Sequence, residues 1–285
     1  MRSLFIVTLY FVIYLISLRP EMFDYIQGGK MMVNMVNKIV FCFFIMFFLL
    51  LFSTNFSLAQ VPNLVARWDL DEADGKKVTD FVGKNHGEFV GKPVRVNAKF
   101  GKGVQFQGGN SSYIEVPMSD DLQLDKSITW MLWANVTSSG GRQELFCYGD
   151  AYVIHVADGV FKAYIHQGGQ FPRAPGKTPV EINKWHFLAA TYDADTLKFY
   201  LDGKLDGSAR LPGAIGFLGL PLRFGNNPAA PAESWGIMGV IDEIQIWDKP
   251  MTEAQILHAY EFPLDFLAVN SKDKLTGYWG EIKKY

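Results

Sequence analysis

The sequence predicts an all-β protein, a sandwich of two antiparallel sheets with one short helix near its end. Three observations carry this. Residues 184–203, KWHFLAATYDADTLKFYLDG, place two runs rich in aromatic and β-branched residues, 185–192 and 197–201, either side of a polar turn at 193–196. That is the pattern of a hairpin lying on a half-buried surface. Asp202-Gly203 follows at once, a dipeptide that supplies the positive φ of a tight turn. Similar runs recur along the chain at a spacing of about 8–12 residues, the rhythm of a sandwich.

Taken in order, residues 64–70 alternate, with Ala66, Trp68 and Leu70 on one face and Val65, Arg67 and Asp69 on the other. This is a half-buried strand running into an acidic turn at 71–75. Residues 78–87 read as an irregular loop followed by a short strand, 100–109 as glycine-rich turns, and 112–116 as another short strand. Residues 128–136 are apolar enough for a central strand, although Trp130 and Met131 break the alternation. Residues 144–148, 152–156 and 160–165 form a meander turning at Gly149-Asp150 and Asp158-Gly159. A glycine- and proline-rich loop is expected over 166–178, with Phe171 and Arg173 at its tip. Residues 222–225 and 237–247 complete the strands, the last apolar on much of both faces. Thr252 with Gln255 makes a capping box, and the helix 253–261 ends before Pro263.

Composition narrows the function. With 27 basic against 29 acidic residues, the net charge is −2, and no Lys/Arg cluster favours a polyanion. Two cysteines are present, Cys42 and Cys147. Cys42 lies in a segment expected to be removed, so no internal disulfide is expected, and Cys147 reads as a buried strand residue. Neither a phosphate loop nor H-x-x-x-H metal spacing nor a G-x-S-x-G elbow occurs.

Two apolar segments, 4–18 and 39–52, precede the globular part. The second has Lys38 before it and Ser57-Leu58-Ala59 after it, as in a secretory signal peptide. Cleavage after Ala59 leaves Gln60 as the first mature residue. A true start at Met31, Met32 or Met35 explains the doubled arrangement; a two-helix anchor or an uncleaved signal anchor is the alternative. All three export the domain, so a secreted or extracytoplasmic location is expected. The organisation is then 1–59 apolar region, 60–263 sandwich and 264–285 tail.

Several motifs, in this order, resemble a known family. They are WDLDE at 68–72, Asp80 with GKNHG at 83–87, GKGVQFQG at 101–108, Trp185-His186, FYLDG at 199–203 and IMGVIDEIQIW at 237–247. Over about residues 63–262 the chain resembles the laminin G-like, concanavalin A-like jelly rolls, especially their secreted bacterial branch. The resemblance implies a jelly-roll fold hosting lectin, adhesion or glycosidase-associated modules. Some relatives carry a cysteine pair, and this chain does not. The LTGYWGEIK stretch of the tail is similar to endings of secreted bacterial proteins with this domain. It implies a recognition or attachment tail; an extension that packs on the sandwich or stays mobile is the alternative.

Three chemistries follow for weighing. Asp69 and Asp71 stand at i and i+2 of a strand, where two carboxylates share a hard cation. The resemblance implies structural Ca²⁺ on Asp71 with Asp242, helped by carbonyls of the 80–87 loop. The alternative makes Asp71 a turn cap and Asp242 an acceptor for backbone amides. A retaining glycoside hydrolase needs two carboxyls about 5–5.5 Å apart, one of them a protonated acid. The sequence Ile241-Asp242-Glu243-Ile244-Gln245 is expected to send its adjacent acids to opposite faces, with Gln245 where a second acid is needed; Asp69 and Asp71 then remain the candidates. Binding without catalysis is therefore the expectation. Trp235, Phe171, Arg173, Asn226 and Asn227 lie in loops that suit a carbohydrate or surface ligand, the alternative for Trp235 being a loop anchor. The expected partner is a glycan or an extracellular protein, and the rival to a sugar site is an adhesive module that recognises protein.

Overall fold

The computed structural model describes residues 63–263. Ala59, Gln60, Cys42, both apolar N-terminal segments and the tail lie outside the described residues. Sixteen strands and one α-helix are present among those described. The back layer runs β14 (Lys204–Arg210), β13 (Thr196–Leu201), β12 (Trp185–Tyr192), β7 (Ile128–Val136) and β16 (Gly236–Trp247). The far edge of β16 is shared by β1 (Leu64–Trp68) and β5 (Lys102–Gly109), with β4 (Val94–Asn97) outside β5. The front layer runs β2 (Lys77–Val78), β3 (Gly87–Val90), β6 (Tyr113–Val116), β15 (Leu222–Phe224), β8 (Gln143–Tyr148), β9 (Tyr152–Ala157), β10 (Val160–Ile165) and β11 (Arg173–Pro179). The layers join where Gly236 pairs with Glu144. At the other end Asp206 of β14 accepts the amides of Lys177 and Thr178 of β11.

Between the layers lies a core rich in aromatic side chains. Trp68 meets Phe224 edge-on at 5.0 Å, and Trp130 meets Tyr152 at 5.4 Å. A second cluster covers the outer face of the back layer. Helix α1 (Glu253–Glu261) contributes Ile256 and Ala259, which pack with Met131, Trp133, Phe187, Tyr200 and Trp247. This explains the broken alternation of β7: Trp130 and Leu132 enter the core while Met131 and Trp133 lie under the helix. Thr252 caps α1 with the reciprocal Gln255 bond read from the sequence. The hairpin turn at Asp202 (φ 50°) and Gly203 (φ 78°) adopts the left-handed pair that matches strand twist.

Three expectations are corrected. Residues 102–109 are not glycine-rich turns but strand β5, paired with β16 on one side and β4 on the other. Most of the second half of the 166–178 stretch is not loop but strand β11, which pairs with β10. Its glycine and prolines suggested a loop because they suit an edge, where a missing amide costs little. A Cβ on Gly176 would lie 2.1 Å from the Phe161 carbonyl oxygen, so close approach of chains selects glycine there. The third correction concerns Asp242 and Glu243. The register slips between Asp242 and Gln245, and Glu243 has φ 48°. This bulge lets Ile241 and Ile244 both enter the core. Asp242 pairs with the outward Trp133 and Glu243 binds the outward Arg67, so both acids leave on the same face.

Candidate binding site

The outer face of the front layer is built from cross-strand partners. Glu115, Arg223, Cys147, Val153, Tyr164 and Arg173 follow one another across β6, β15, β8, β9, β10 and β11. A second rank sets Glu144, His155 and Lys162 side by side on β8, β9 and β10. A register shift between Glu144 and Phe146 turns Leu145 and Phe146 both into the core, leaving Glu144 outward with Cys147.

Glu144 is fully buried and is the centre of a polar network. Arg142 Nε donates to Glu144 Oε1 at 2.6 Å, and Arg142 Nη2 donates to the Tyr164 hydroxyl at 2.8 Å. The Tyr164 hydroxyl donates to Asp150 Oδ1, which also accepts Asn227 Nδ2 at 2.6 Å. The Arg142 guanidinium stacks 4.0 Å above the centre of the Trp235 ring. Trp235 is held by its own backbone, whose carbonyl accepts the Glu144 amide at 2.7 Å. Phe171, 41% exposed, stands edge-on to Tyr164 at 5.9 Å and tilts over His166 at 5.3 Å. Burial pushes the Glu144 carboxyl up to about 7, against the opposing pull of Arg142. Burial, with Arg142, Arg173 and Lys162 nearby, holds His155 well below the usual imidazole range, so it is neutral. Glu144 Oε2 and His155 Nδ1 are buried without a close hydrogen-bond partner, while the Asn227 amide approaches the Glu144 carboxyl and draws its pKa down.

The residues expected to bind ligand are thus partly gathered. Trp235, Phe171 and Asn227 connect through Arg142, Tyr164 and Asp150, and Arg173 pairs with Tyr164 across β10 and β11. Asn226 is fully buried; its side chain bonds the Gly109 carbonyl and the Asn227 amide, fixing the loop. Sequence reasoning passed over Arg142, Glu144, Asp150, His155 and Tyr164. The available signal was a charge inside an apolar strand, as in QELFCY and YVIHVA.

The expected metal residues form a separate corner. Asp71 Oδ1 accepts the Lys102 amide and Asp242 Oδ2 accepts the Phe100 amide at 2.9 Å, so both hold the β4–β5 turn. Asp69 Oδ1 accepts the Asp71 amide, and its Oδ2 lies 3.7 Å from Arg67, which also forks onto Glu243. Burial pushes Asp242 up to about 8 and Asp69 up to about 6. Asp242 Oδ1 is buried without a partner. Among the described residues no group of three or more His, Cys, Asp or Glu side chains is arranged to hold a metal. The 80–87 loop turns inward: Asp80 accepts three backbone amides, and the Asn85 carbonyl accepts the Trp68 indole. His186 bonds Asp202 and the Glu181 carbonyl, tying the strand start to the hairpin turn.

Known structures place this arrangement. Domain 4 of AbnA, a GH43 extracellular arabinanase from Geobacillus stearothermophilus in complex with arabinotriose, superposes with a TM-score of 0.57 at 19% identity, covering 70% of this chain and 98% of that one. The binding domain of Paraclostridial Mosquitocidal Protein 1 gives 0.59 at 16% identity, covering 70% and 52%. The binding domain of botulinum neurotoxin DC in complex with rat synaptotagmin II gives 0.56 at 13% identity, covering 70% and 51%. The chain therefore spans about half of each toxin domain, and at these identities the likeness is one of fold. No curated protein sequence matches. A family model described as the concanavalin A-like lectin/glucanases superfamily matches residues 108–257, more than half of the chain, and the chain belongs to that superfamily.

Proposed function

We propose that the chain is an exported, non-catalytic module that binds carbohydrate on the outer face of the front layer. One observation carries this: Asn227 and Trp235 of the β15–β16 loop and Phe171 of the β10–β11 loop are joined by one hydrogen-bonded and stacked network around Arg142 and Tyr164. An aromatic surface beside fixed amides, carboxylates and guanidinium is the equipment of a sugar site. Arabinotriose in the complex of the arabinanase domain supports the ligand class, while synaptotagmin in the toxin complex supports a protein partner as the rival. On an array of neutral oligosaccharides including arabinotriose, Trp235→Ala and Phe171→Ala should each abolish the wild-type signal while moving the melting temperature little. Early melting of both variants would make these packing residues, and a wild-type protein silent on the array would favour the protein-binding rival.

We propose the structural Ca²⁺ at the Asp71–Asp242 corner, a reading supported by Asp242 Oδ1, a buried oxygen without a close partner. Arg67 already neutralises Asp69 and Glu243. Bound there, Ca²⁺ would add charge compensation between two carboxylates and fix the β4–β5 turn; carbonyls and water would complete its usual six to eight oxygens. Adding about 2 mM CaCl₂, a level that suits weak extracellular sites, should raise the melting temperature by mass action. The rise should vanish in Asp71→Asn and Asp242→Asn. No shift in the wild type would reduce both acids to turn acceptors.

A further inference from the structure

Glu144 and His155 stand directly opposite each other on β8 and β9, on the outer face, where facing Cβ atoms lie about 4.5–5.5 Å apart. Each ends in a buried polar atom with no close partner, Glu144 Oε2 and His155 Nδ1. Leaving such an atom unpaired is costly, and two on facing residues mark a place that a small polar group fills. We propose that this pair is the inner subsite of the binding face and takes one hydroxyl group of a carbohydrate ligand. The inference rests on the carbohydrate reading of that face.

The chemistry selects a hydroxyl. In its ionised form the Glu144 carboxyl only accepts, and with its proton on Nδ1 the neutral imidazole donates from that atom. A group lying between them must donate one hydrogen bond and accept another, which a hydroxyl does with a single oxygen. A cation is disfavoured, because Arg142, Arg173 and Lys162 already surround the imidazole with positive charge. An anion is disfavoured by Glu144 itself and by Asp150 beside it. Arg142 keeps Glu144 Oε1, which leaves Oε2 for the ligand. Its side chain, 26% exposed, touches Glu144, Tyr164 and Trp235 together. Arg142 is thus the gate: a sugar ring on Trp235 sends one hydroxyl past it to the pair.

The test uses the full chain on the neutral oligosaccharide array, followed by calorimetric titration of the strongest binder and its monodeoxy forms. One monodeoxy form should bind the wild type about 10-fold or more weakly, the loss of roughly one good hydrogen bond to a charged site. His155→Leu and Glu144→Met should lose affinity for the parent sugar by a similar factor and no longer distinguish that monodeoxy form. His155→Asn, whose amide nitrogen sits near the place of Nδ1, should recover most of the binding. Equal affinity across the monodeoxy series overturns the proposal without relying on any variant to fold. Unchanged affinity in His155→Leu and Glu144→Met, with binding still lost in Trp235→Ala, overturns the inner subsite and leaves the face standing. A wild type that binds nothing on the array, or a Trp235→Ala variant that binds normally, overturns both.

Discussion

In calcium-free buffer the melting temperature should fall by about 4–8 °C as the pH rises from about 6.5 to 8.5, the scale set by a loss of about 2 kcal/mol in a domain of this size. The cause is the set of buried outward carboxyls. Burial raises Asp242 to about 8, Glu144 to about 7 and Asp69 to about 6, and raises Glu243 as well. In the unfolded chain each returns to about 4. Between those limits the folded state holds more protons than the unfolded one, so stability declines as pH rises. The contribution is fully present below the unfolded pKa and is lost through the folded one. His155 works in the opposite sense, because its lowered pKa makes the folded state bind fewer protons. That contribution grows with pH and is nearly complete by the ordinary imidazole pKa of about 6.5. Above that point the carboxyls alone set the slope. Asp242→Asn should flatten it most, and Glu144→Gln should flatten its lower part. A wild-type midpoint that stays level or rises over this interval would show that these acids are charged and compensated.

The fold was legible because burial on one or both faces leaves a period in the sequence. The meander 144–165 and the double hairpin 184–203 could be read to within a residue or two, since their turns are Gly-Asp, Asp-Gly and polar stretches between apolar runs. Strand β11 was not legible. Its Pro175, Gly176 and Pro179 obey constraints of an edge packed closely on Phe161 and Gly207, and those constraints arise only in the folded chain. The bulge at Glu243 was hidden for a similar reason. One left-handed residue reverses the facing of everything after it, and a glutamate gives no notice of doing so. Candidate site residues on loops, such as Trp235 and Phe171, were visible as unspent aromatics. Arg142 lies just before β8, and Glu144 and His155 sit at β-strand positions that only pairing of β8 with β9 reveals as neighbours.

Asp80→Ala should cost about 3–5 kcal/mol, among the largest single-residue effects on stability, because it strips one side chain of four bonds. Asp80 is 3% exposed. Its Oδ1 accepts the amides of Arg67 and Val82 at 3.1 and 3.0 Å, and its Oδ2 accepts the Asn85 amide and side-chain nitrogen at 3.0 and 3.1 Å. These bonds fold the 80–87 loop back against β1 and hold Asn85 where its carbonyl accepts the Trp68 indole at 2.8 Å. Trp68 is fully buried in the core against Phe224, so the loop and the centre of the sandwich share one fastening. Gly83 completes it: a Cβ there would meet Asp80 Oδ2 at 2.7 Å and the Val65 carbonyl at 3.1 Å. Each orphaned buried amide costs about 1–3 kcal/mol, less than additively where the loop can relax toward water. Asp80→Asn keeps one acceptor oxygen but turns an amide donor toward the Asn85 donors, so it should fall between wild type and Asp80→Ala. Urea unfolding of the three proteins measures this. Equal midpoints for Asp80→Ala and wild type would mean that solvent satisfies these amides, and that the motif's aspartate is kept for a reason other than the fold.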